Sequence, residues 1–192
     1  MFRSLRSAIA RYCVRRAAAC QRSAPLRADW WLRLACAAAP LFTESHRALV
    51  HLRRIREDRW GAVAAARDAI ERFPAAADAW LLLGEAYQMV YRQAEALAAY
   101  EQVLVLEERP DAAMAAGEIY WRAGRYADAA SRFARAYAAG GGADTLWRNA
   151  QALLLAGDET AADDALTLWA TQVPDGHERL GAARAEIRAT RK

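Results

Sequence analysis

The chain has 192 residues, of which 55% are hydrophobic and 26% are charged, with only 5 prolines and 10 glycines. This composition excludes a disordered chain, and the length allows one domain or one short array of repeats. The net charge of +4 is uneven, because residues 1–43 carry +7 and the remainder carries −3. Alanine is abundant and no alternating run of β-branched residues occurs, so we predict an all-α fold.

Residues 1–42 are predicted to form a basic, amphipathic helical extension. A first helix within residues 2–22 carries its large apolar side chains on one stripe, and a second, apolar helix follows Pro25 and ends near Pro40. The stripe of the first helix consists of Phe2, Leu5, Ile9, Tyr12 and Cys13. The basic arm consists of Arg3, Arg6, Arg11, Arg15, Arg16 and Arg22.

The role of this arm is open between four alternatives. It can lie on an anionic membrane surface, where arginine and tryptophan suit the headgroup region, or it can dock on the first repeat or on a partner. Residues 1–25 can also be an organellar targeting sequence, since they are rich in Arg and Ser and poor in acidic residues. Nucleic acid is the weakest alternative, because no nucleic-acid-binding motif accompanies the arginines.

Neither N-terminal helix holds 18 uninterrupted apolar residues, so we predict no transmembrane helix. The location that we expect is cytoplasmic, with the chain either free of a membrane or peripheral to one. An organellar location is the alternative if residues 1–25 are a targeting sequence.

The sequence downstream of the arm repeats itself at a period of about 33 positions. The stretch Gly84-Glu85-Ala86-Tyr87 returns as Gly117-Glu118-Ile119-Tyr120, and another step of the same length leads to Ala150. The second half of each unit recurs in the same register. Its matching positions are Ala96 and Tyr100, then Ala129 and Phe133, then Ala162 and Leu166.

This order of small and aromatic residues, at a period of about 34, resembles the tetratricopeptide repeat. The resemblance implies a solenoid of antiparallel helix pairs, in which the small residues let the two helices of a pair approach closely. The predicted units are 43–76, 77–109, 110–142 and 143–176, followed by a capping helix in 177–192. The first unit is degenerate or acts as a cap, because Arg53 stands where a Tyr is expected.

The resemblance also implies a binding surface, because partner peptides of this family commonly lie in the concave groove formed by the first helix of each unit. The residues projected onto this groove are Leu81, Glu85, Gln88, Met89, Met114, Glu118, Trp121, Arg122, Trp147, Arg148 and Gln151. Trp121 and Trp147 do not occupy core positions of the family. They are either available to the groove, as interface hot spots, or packed against the neighbouring repeat or the cap.

We therefore predict a scaffold or adaptor that binds a protein or peptide partner. The alternative is a peripheral membrane-associated assembly factor, or a structural subunit of a larger complex, that uses the arginine-rich arm. An acidic C-terminal tail is not the expected ligand. The family units that bind such a tail use Lys and Asn at places where this sequence has Glu, Gln and Leu.

The sequence does not predict catalysis, a cofactor or a metal site. The three cysteines form no CxxC pair, and His46, His51 and His177 have no partner at ligand spacing. Neighbouring acids such as Glu107 and Glu108 point to different faces of a helix. No phosphate-binding glycine loop, HExxH or GxSxG motif occurs.

Overall fold

A computed structural model of the chain describes residues 2–38 and 43–189, and the side chains of residues 5–38 and 44–189. Eleven α-helices and no strand lie in these residues, which confirms the all-α prediction. The side chain of Arg3, the predicted end of the arm at 39–42 and residues 190–192 of the predicted cap lie outside the described part. The helices are α1 (Phe2–Cys20), α2 (Pro25–Ala38), α3 (Thr43–Ile55), α4 (Arg59–Arg72), α5 (Ala77–Met89), α6 (Gln93–Leu106), α7 (Pro110–Arg122), α8 (Tyr126–Ala138), α9 (Ala143–Ala156), α10 (Glu159–Gln172) and α11 (Gly176–Ala189).

The chain divides into two compact units, Met1–Leu106 with α1 to α6 and Glu107–Lys192 with α7 to α11. Inside each unit, helices that follow one another in sequence pack against each other across short turns, so their directions alternate. The pairs α3–α4, α5–α6, α7–α8 and α9–α10 fall within the four predicted repeats. The repeat boundaries themselves stay a prediction.

The turn inside each of these pairs contains one residue in the left-handed conformation. These residues are Glu57, Tyr91, Gly124 and Gly157, with φ of 59°, 60°, 72° and 94°. Their nearly even spacing along the chain equals the sequence period, so the turn recurs with the repeat. A left-handed residue ends a helix and reverses the chain, and glycine adopts it without strain.

The second helices of two pairs begin with an aspartate cap. Asp58 accepts a hydrogen bond from the backbone N–H of Gly61, and Asp158 accepts one from Ala161, each at 3.0 Å. The bond from Ala161, together with the Thr160 hydroxyl, lowers the pKa of Asp158. These contacts satisfy backbone donors that a helix N-terminus leaves without an intrahelical partner.

The two helices of a pair approach most closely where a glycine faces an aromatic ring. A Cβ atom added to Gly84 would lie 2.6 Å from Cε1 of Tyr100, and one added to Gly117 would lie 2.5 Å from Cε1 of Phe133. Both rings are buried. The glycines are therefore required by packing, since no side chain fits between the helix backbone and the ring.

In the last pair, α9–α10, other residues occupy the place of the glycine and the aromatic ring. Ala150 stands in the place of the glycine and Leu166 in the place of the aromatic residue, and both belong to one buried cluster of α9, α10 and α11. The additional methyl group is thus accompanied by a smaller partner. Helix α11 contributes Ala183 and Ile187 to this cluster, while its role as a cap stays a prediction.

Helices α1 and α2 pack against each other through small side chains. Ala10 and Cys13 of α1 form a buried cluster with Ala35 of α2. The predicted apolar stripe of α1 is therefore divided, because Cys13 is buried whereas Leu5, Ile9 and Tyr12 are exposed. The helix packs through its alanines and leaves its large apolar residues at the surface.

Arg53 joins this N-terminal pair to the first predicted repeat. Its Nε donates to Oδ1 of Asp29 on α2 at 2.9 Å, and its guanidinium donates to the carbonyl of Gly61 on α4 at 2.8 Å. Arg53 and Asp29 are each only 16% exposed. The arginine that breaks the repeat pattern thus links α2, α3 and α4, and the arm docks on the helices of the predicted first repeat.

The starting positions of the helices extend the period into the arm. Helices α2, α4 and α6 begin at positions 25, 59 and 93, a constant spacing that matches the sequence period. Ala28, Ala62 and Ala96 occupy equivalent places on these helices, and each is completely buried. The helix pair α1–α2 therefore has the chain course of one more repeat, although α1 has no glycine and α2 has Leu32 in the place of Tyr100.

Candidate functional site

Helices α7 and α9, the first helices of the two pairs in the second unit, enclose a groove of about 500 Å³. Five of the predicted residues line it, together with Asp144. The lining residues are Met114, Glu118, Asp144, Trp147, Arg148 and Gln151. This groove, the α7–α9 groove, therefore collects most of the residues that the repeat register projected onto this unit.

Arg148 is the most strongly held polar side chain of the α7–α9 groove. Its Nε lies 3.2 Å from Oε1 of Glu118, and its guanidinium lies over the ring of Trp121 at 6.0 Å from the centroid. The ion pair and the cation–π contact both restrict the rotamers of a long side chain. Arg148 thus presents a fixed positive group beside an apolar surface.

The two tryptophans have different environments. Trp147 is half-buried, with its ring centroid 5.3 Å from that of Trp169, and its remaining surface lines the α7–α9 groove. Trp121 is also half-buried and lies edge-on to Tyr126 at 5.4 Å. Trp121 and the exposed Arg122 lie outside the lining of the groove.

Helices α3 and α5 enclose a second groove, of about 790 Å³, in the first unit. Three predicted residues, Glu85, Gln88 and Met89, line this α3–α5 groove. Leu81 does not, because it is buried between helices, and its neighbour Leu82 takes part in the lining. The full lining is Glu44, Arg47, Ala48, Val50, His51, Arg54, Leu82, Glu85, Gln88 and Met89.

The basic residues of the α3–α5 groove were missed by the sequence projection. These residues are Arg47, His51 and Arg54 of α3, which belongs to the degenerate first repeat. They stand one repeat period before the predicted residues Leu81, Glu85 and Gln88. The same register, applied one unit further upstream, would have found them.

Two of these cations already have partners. One terminal nitrogen of Arg47 lies 3.1 Å from Oδ1 of Asp78, and one of Arg54 lies 2.9 Å from Nδ1 of His51. The α3–α5 groove is therefore mixed in charge and presents a surface of paired polar groups around Leu82 and Met89.

A buried polar cluster lies beside a third hollow, of about 710 Å³, between α2, α3 and α4. Cys36 hydrogen-bonds to Ser45, and His46 lies 3.5 Å from Asp68. Cysteine, histidine and aspartate are also the residue types of thiol catalysis. Here burial raises the pKa of the Cys36 thiol, whereas a nucleophilic cysteine requires a lowered pKa, so this cluster lacks an activated thiolate.

The predicted basic arm lies on the outside of α1 and the turn after it. The five arginines whose side chains are described (Arg6, Arg11, Arg15, Arg16 and Arg22) are exposed. Arg16 lies over the ring of Trp31 at 5.8 Å from the centroid.

Among the helices that the structure describes, none is long and apolar enough to cross a membrane. Residues 2–38 and 43–189 contain no group of His, Cys, Asp and Glu suited to a metal ion.

Solved structures of helical-repeat proteins superpose on most of the chain. MamA does so with a TM-score of 0.69 at 15% identity, over 91% of this chain and 94% of its own. For a thermophilic TPR protein of Thermus thermophilus the TM-score is 0.60 at 18% identity, over 91% and 98%. For YrrB, described as a TPR protein with an unusual peptide-binding site, it is 0.63 at 17% identity, over 88% and 89%. The fold is that of the tetratricopeptide-repeat (TPR) proteins.

The sequence itself matches no protein-family model and no curated protein. The TPR resemblance drawn from the repeat is nevertheless confirmed at the level of the fold. In the predicted register of the repeats, α3, α5, α7 and α9 are the first helices of their pairs. Both grooves therefore lie on first-helix surfaces, one in each unit.

Proposed function

We propose that this protein is an interaction scaffold that holds segments of a partner protein in the α3–α5 and α7–α9 grooves. The observation that carries the proposal is that each unit forms a groove from the first helices of two consecutive TPR pairs. In the TPR family this is the face on which partner peptides commonly lie. The description of YrrB as a TPR protein with a peptide-binding site supports the same role.

The α7–α9 groove suits a peptide with an apolar side chain flanked by polar ones. Met114 and the free surface of Trp147 supply apolar contact area, and the Glu118–Arg148 pair lies beside them. Aromatic residues, Met and Arg are enriched in protein interfaces, and Trp and Arg carry much of the binding energy. Because Trp147 is already anchored on Trp169, little side-chain entropy is lost when a partner covers it.

An acidic C-terminal tail is not the ligand that we propose. Binding of a carboxylate requires donors that are not engaged elsewhere. Arg47 is paired with Asp78, and Arg148 is paired with Glu118. A neutral or mixed-charge segment leaves these pairs intact, whereas an acidic segment that binds Arg47 or Arg148 has to displace Asp78 or Glu118.

Affinity purification with quantitative mass spectrometry tests the proposal with two matched variants of the full chain. Arg148→Glu reverses a charge inside the α7–α9 groove, and Arg122→Glu makes the same change on an exposed residue outside its lining. We expect proteins retained by the wild type and by Arg122→Glu to be lost from Arg148→Glu by about tenfold or more. If both variants retain the same proteins as the wild type, partner binding in the α7–α9 groove is wrong.

A further inference from the structure

We propose that the N-terminal helix pair α1–α2 binds the surface of an anionic lipid bilayer. This interaction surface is separate from the two grooves. It follows from the distribution of apolar residues in the pair, from their arrangement on the two helices and from the charge around them.

The N-terminal pair places its large apolar residues outward. Its buried contacts are made by Ala10, Cys13 and Ala35. Six large apolar side chains are left exposed, and they include Leu5 at 60%, Leu26 at 73% and Trp30 at 57%. The others are Ile9, Tyr12 and Leu34. Contiguous exposed apolar surface of this kind marks a site of protein or membrane contact.

These side chains lie on one side of each helix, and ring contacts through Trp31 join the two sets. Leu5, Ile9 and Tyr12 follow one another along α1 at spacings of four and three, as neighbours on a helix do. Tyr12 lies edge-on to Trp31 at 6.1 Å, and Trp31 contacts Trp30 at 4.8 Å. On α2 the set consists of Leu26, Trp30 and Leu34, at successive spacings of four. We call this set, with Trp31, the N-terminal apolar face.

The charge around the N-terminal apolar face determines the occupant. Residues 1–43 contain eight arginines and one acid, Asp29, and Asp29 is paired with Arg53. Seven arginines of α1, α2 and the turn between them have described side chains, and none of these has an acidic partner within residues 5–38 and 44–189. They are Arg6, Arg11, Arg15, Arg16, Arg22, Arg27 and Arg33. A large surplus of positive charge attracts a negatively charged partner.

The combination of arginine with Leu and Trp favours a bilayer over other anionic partners. Tryptophan prefers the headgroup level of a membrane, and aliphatic side chains insert below it, while arginines bind lipid phosphates. A nucleic acid presents phosphates but no apolar layer for Leu26 and Leu34. No described helix is able to span the membrane, so the association is peripheral, with the helices parallel to the surface.

Co-sedimentation of the full chain with lipid vesicles tests this inference. Vesicles of phosphatidylcholine alone are compared with vesicles that also contain phosphatidylserine, at an ionic strength of about 0.15 M. The test variant is Leu26→Ser with Trp30→Ser, which removes two exposed side chains of the N-terminal apolar face. The matched control is Val105→Ser with Leu168→Ser, which removes two exposed apolar side chains elsewhere.

We expect the wild type and the control to bind the phosphatidylserine vesicles, and the test variant to bind at least about tenfold more weakly. Lipids with brominated acyl chains should also quench part of the tryptophan emission of the wild type, which requires no variant. Absence of binding, equal binding of the test variant, or equal binding to both vesicle types would overturn the inference. The inference would also be wrong if the wild type bound a DNA duplex more tightly than the vesicles and the substitution of Trp30 weakened that binding.

Discussion

Two turn residues of the first unit have strained backbone conformations. Glu57 and Tyr91 adopt the left-handed conformation that Gly124 and Gly157 adopt in the second unit. An L-residue in this conformation is less stable than glycine by about 1 kcal/mol. The repeat imposes the turn, and only half of the turns have the residue that suits it.

Tyr91→Gly should therefore stabilise the protein. The substitution removes the strain at φ 60°, but glycine costs more backbone entropy on folding, so we expect a net gain of about 0.5 kcal/mol. Urea unfolding followed by circular dichroism measures it. Gly124→Ala is the reverse experiment and should cost about 1 kcal/mol, since a Cβ there meets no atom within 4 Å and the backbone alone is affected. Equal stability of all three proteins would contradict this account.

The Arg53–Asp29 pair is the second residue-scale feature with a measurable effect. Both side chains are largely buried, so Arg53→Ala leaves an uncompensated carboxylate and should destabilise the protein by about 3 kcal/mol. Because the two residues interact directly, the double variant with Asp29→Ala should lose at least about 1 kcal/mol less than the sum of the single variants.

Arg54→Ala is the control for that cycle. Arg54 is the next residue, is exposed and has His51 as its hydrogen-bond partner among the described residues, so its removal should change stability by less than about 0.5 kcal/mol. Strict additivity of Arg53→Ala and Asp29→Ala would show that the ion pair does not fix α2 on α3.

At the scale of elements, the small residue of one helix and the large residue of its partner form a matched pair. The chain uses Gly with Tyr or Phe in two helix pairs and Ala with Leu in the last. The steric requirement is on the sum of the two volumes, so changing one residue alone should be unfavourable.

Gly117→Ala tests this requirement. Alanine is the better helix former by about 1 kcal/mol, but its methyl group would lie 2.5 Å from the Phe133 ring, so we expect a net loss of about 2 kcal/mol. Combination with Phe133→Leu should recover at least about 1 kcal/mol relative to additivity. The control, Gly142→Ala, has no atom within 4 Å of the added Cβ. A neutral or stabilising Gly117→Ala would refute the packing argument.

The sequence predicted these helix pairs because tight approach leaves a visible pattern. Only Gly or Ala fits at residues such as 84, 117 and 150, and the pattern survives large changes elsewhere. It did not predict the N-terminal contact, because α1 packs through Ala10, Cys13 and Ala17. In a chain rich in alanine, a packing face made of alanines cannot be distinguished from the rest of the helix by its sequence. The exposed Leu5, Ile9 and Tyr12, in contrast, have the spacing of a buried apolar stripe.

The candidate grooves were predicted unevenly for a related reason. The repeat register predicted groove residues on α7 and α9. It did not predict Arg47, His51 and Arg54, because Arg53 makes their repeat difficult to recognise in the sequence. Whether a side chain such as Leu81 is buried or lines a groove depends on a rotation of the helix by a fraction of a turn. Sequence periodicity indicates which face of a helix is buried. It does not indicate whether a residue at the margin of that face is buried or lines a groove.

At the scale of the whole molecule, the helices of each compact unit contact mainly their neighbours in sequence. Stability in such an array is approximately a sum of local terms, and segments near the ends open more readily than the rest. The accessibility of the cysteine thiols measures this opening at the helix pair α1–α2. Cys13 and Cys36 are buried, and burial raises the pKa of both thiols, while Cys20 is partly exposed.

A thiol reagent should therefore modify Cys20 first and reach Cys13 and Cys36 only when α1 and α2 separate from their neighbours. Arg53→Ala should accelerate modification of Cys36 by at least about tenfold, since it removes the ion pair between α2 and α3. Mass spectrometry of peptides from the labelled chain distinguishes the three sites. Equal rates for Cys20 and Cys36 in the wild type would show that burial of Cys36 gives no protection.

The packing of α1 against α2, and of α2 against α3, also has a consequence for how the chain is made. Within each unit, a helix finds its packing partner in the segment synthesised just before it, so no long-range pairing has to wait for the end of translation. Low contact order of this kind favours rapid folding, and folding can advance as the chain leaves the ribosome. The basic N-terminal surface would then be complete, and available to a ligand, before the last repeat has been translated.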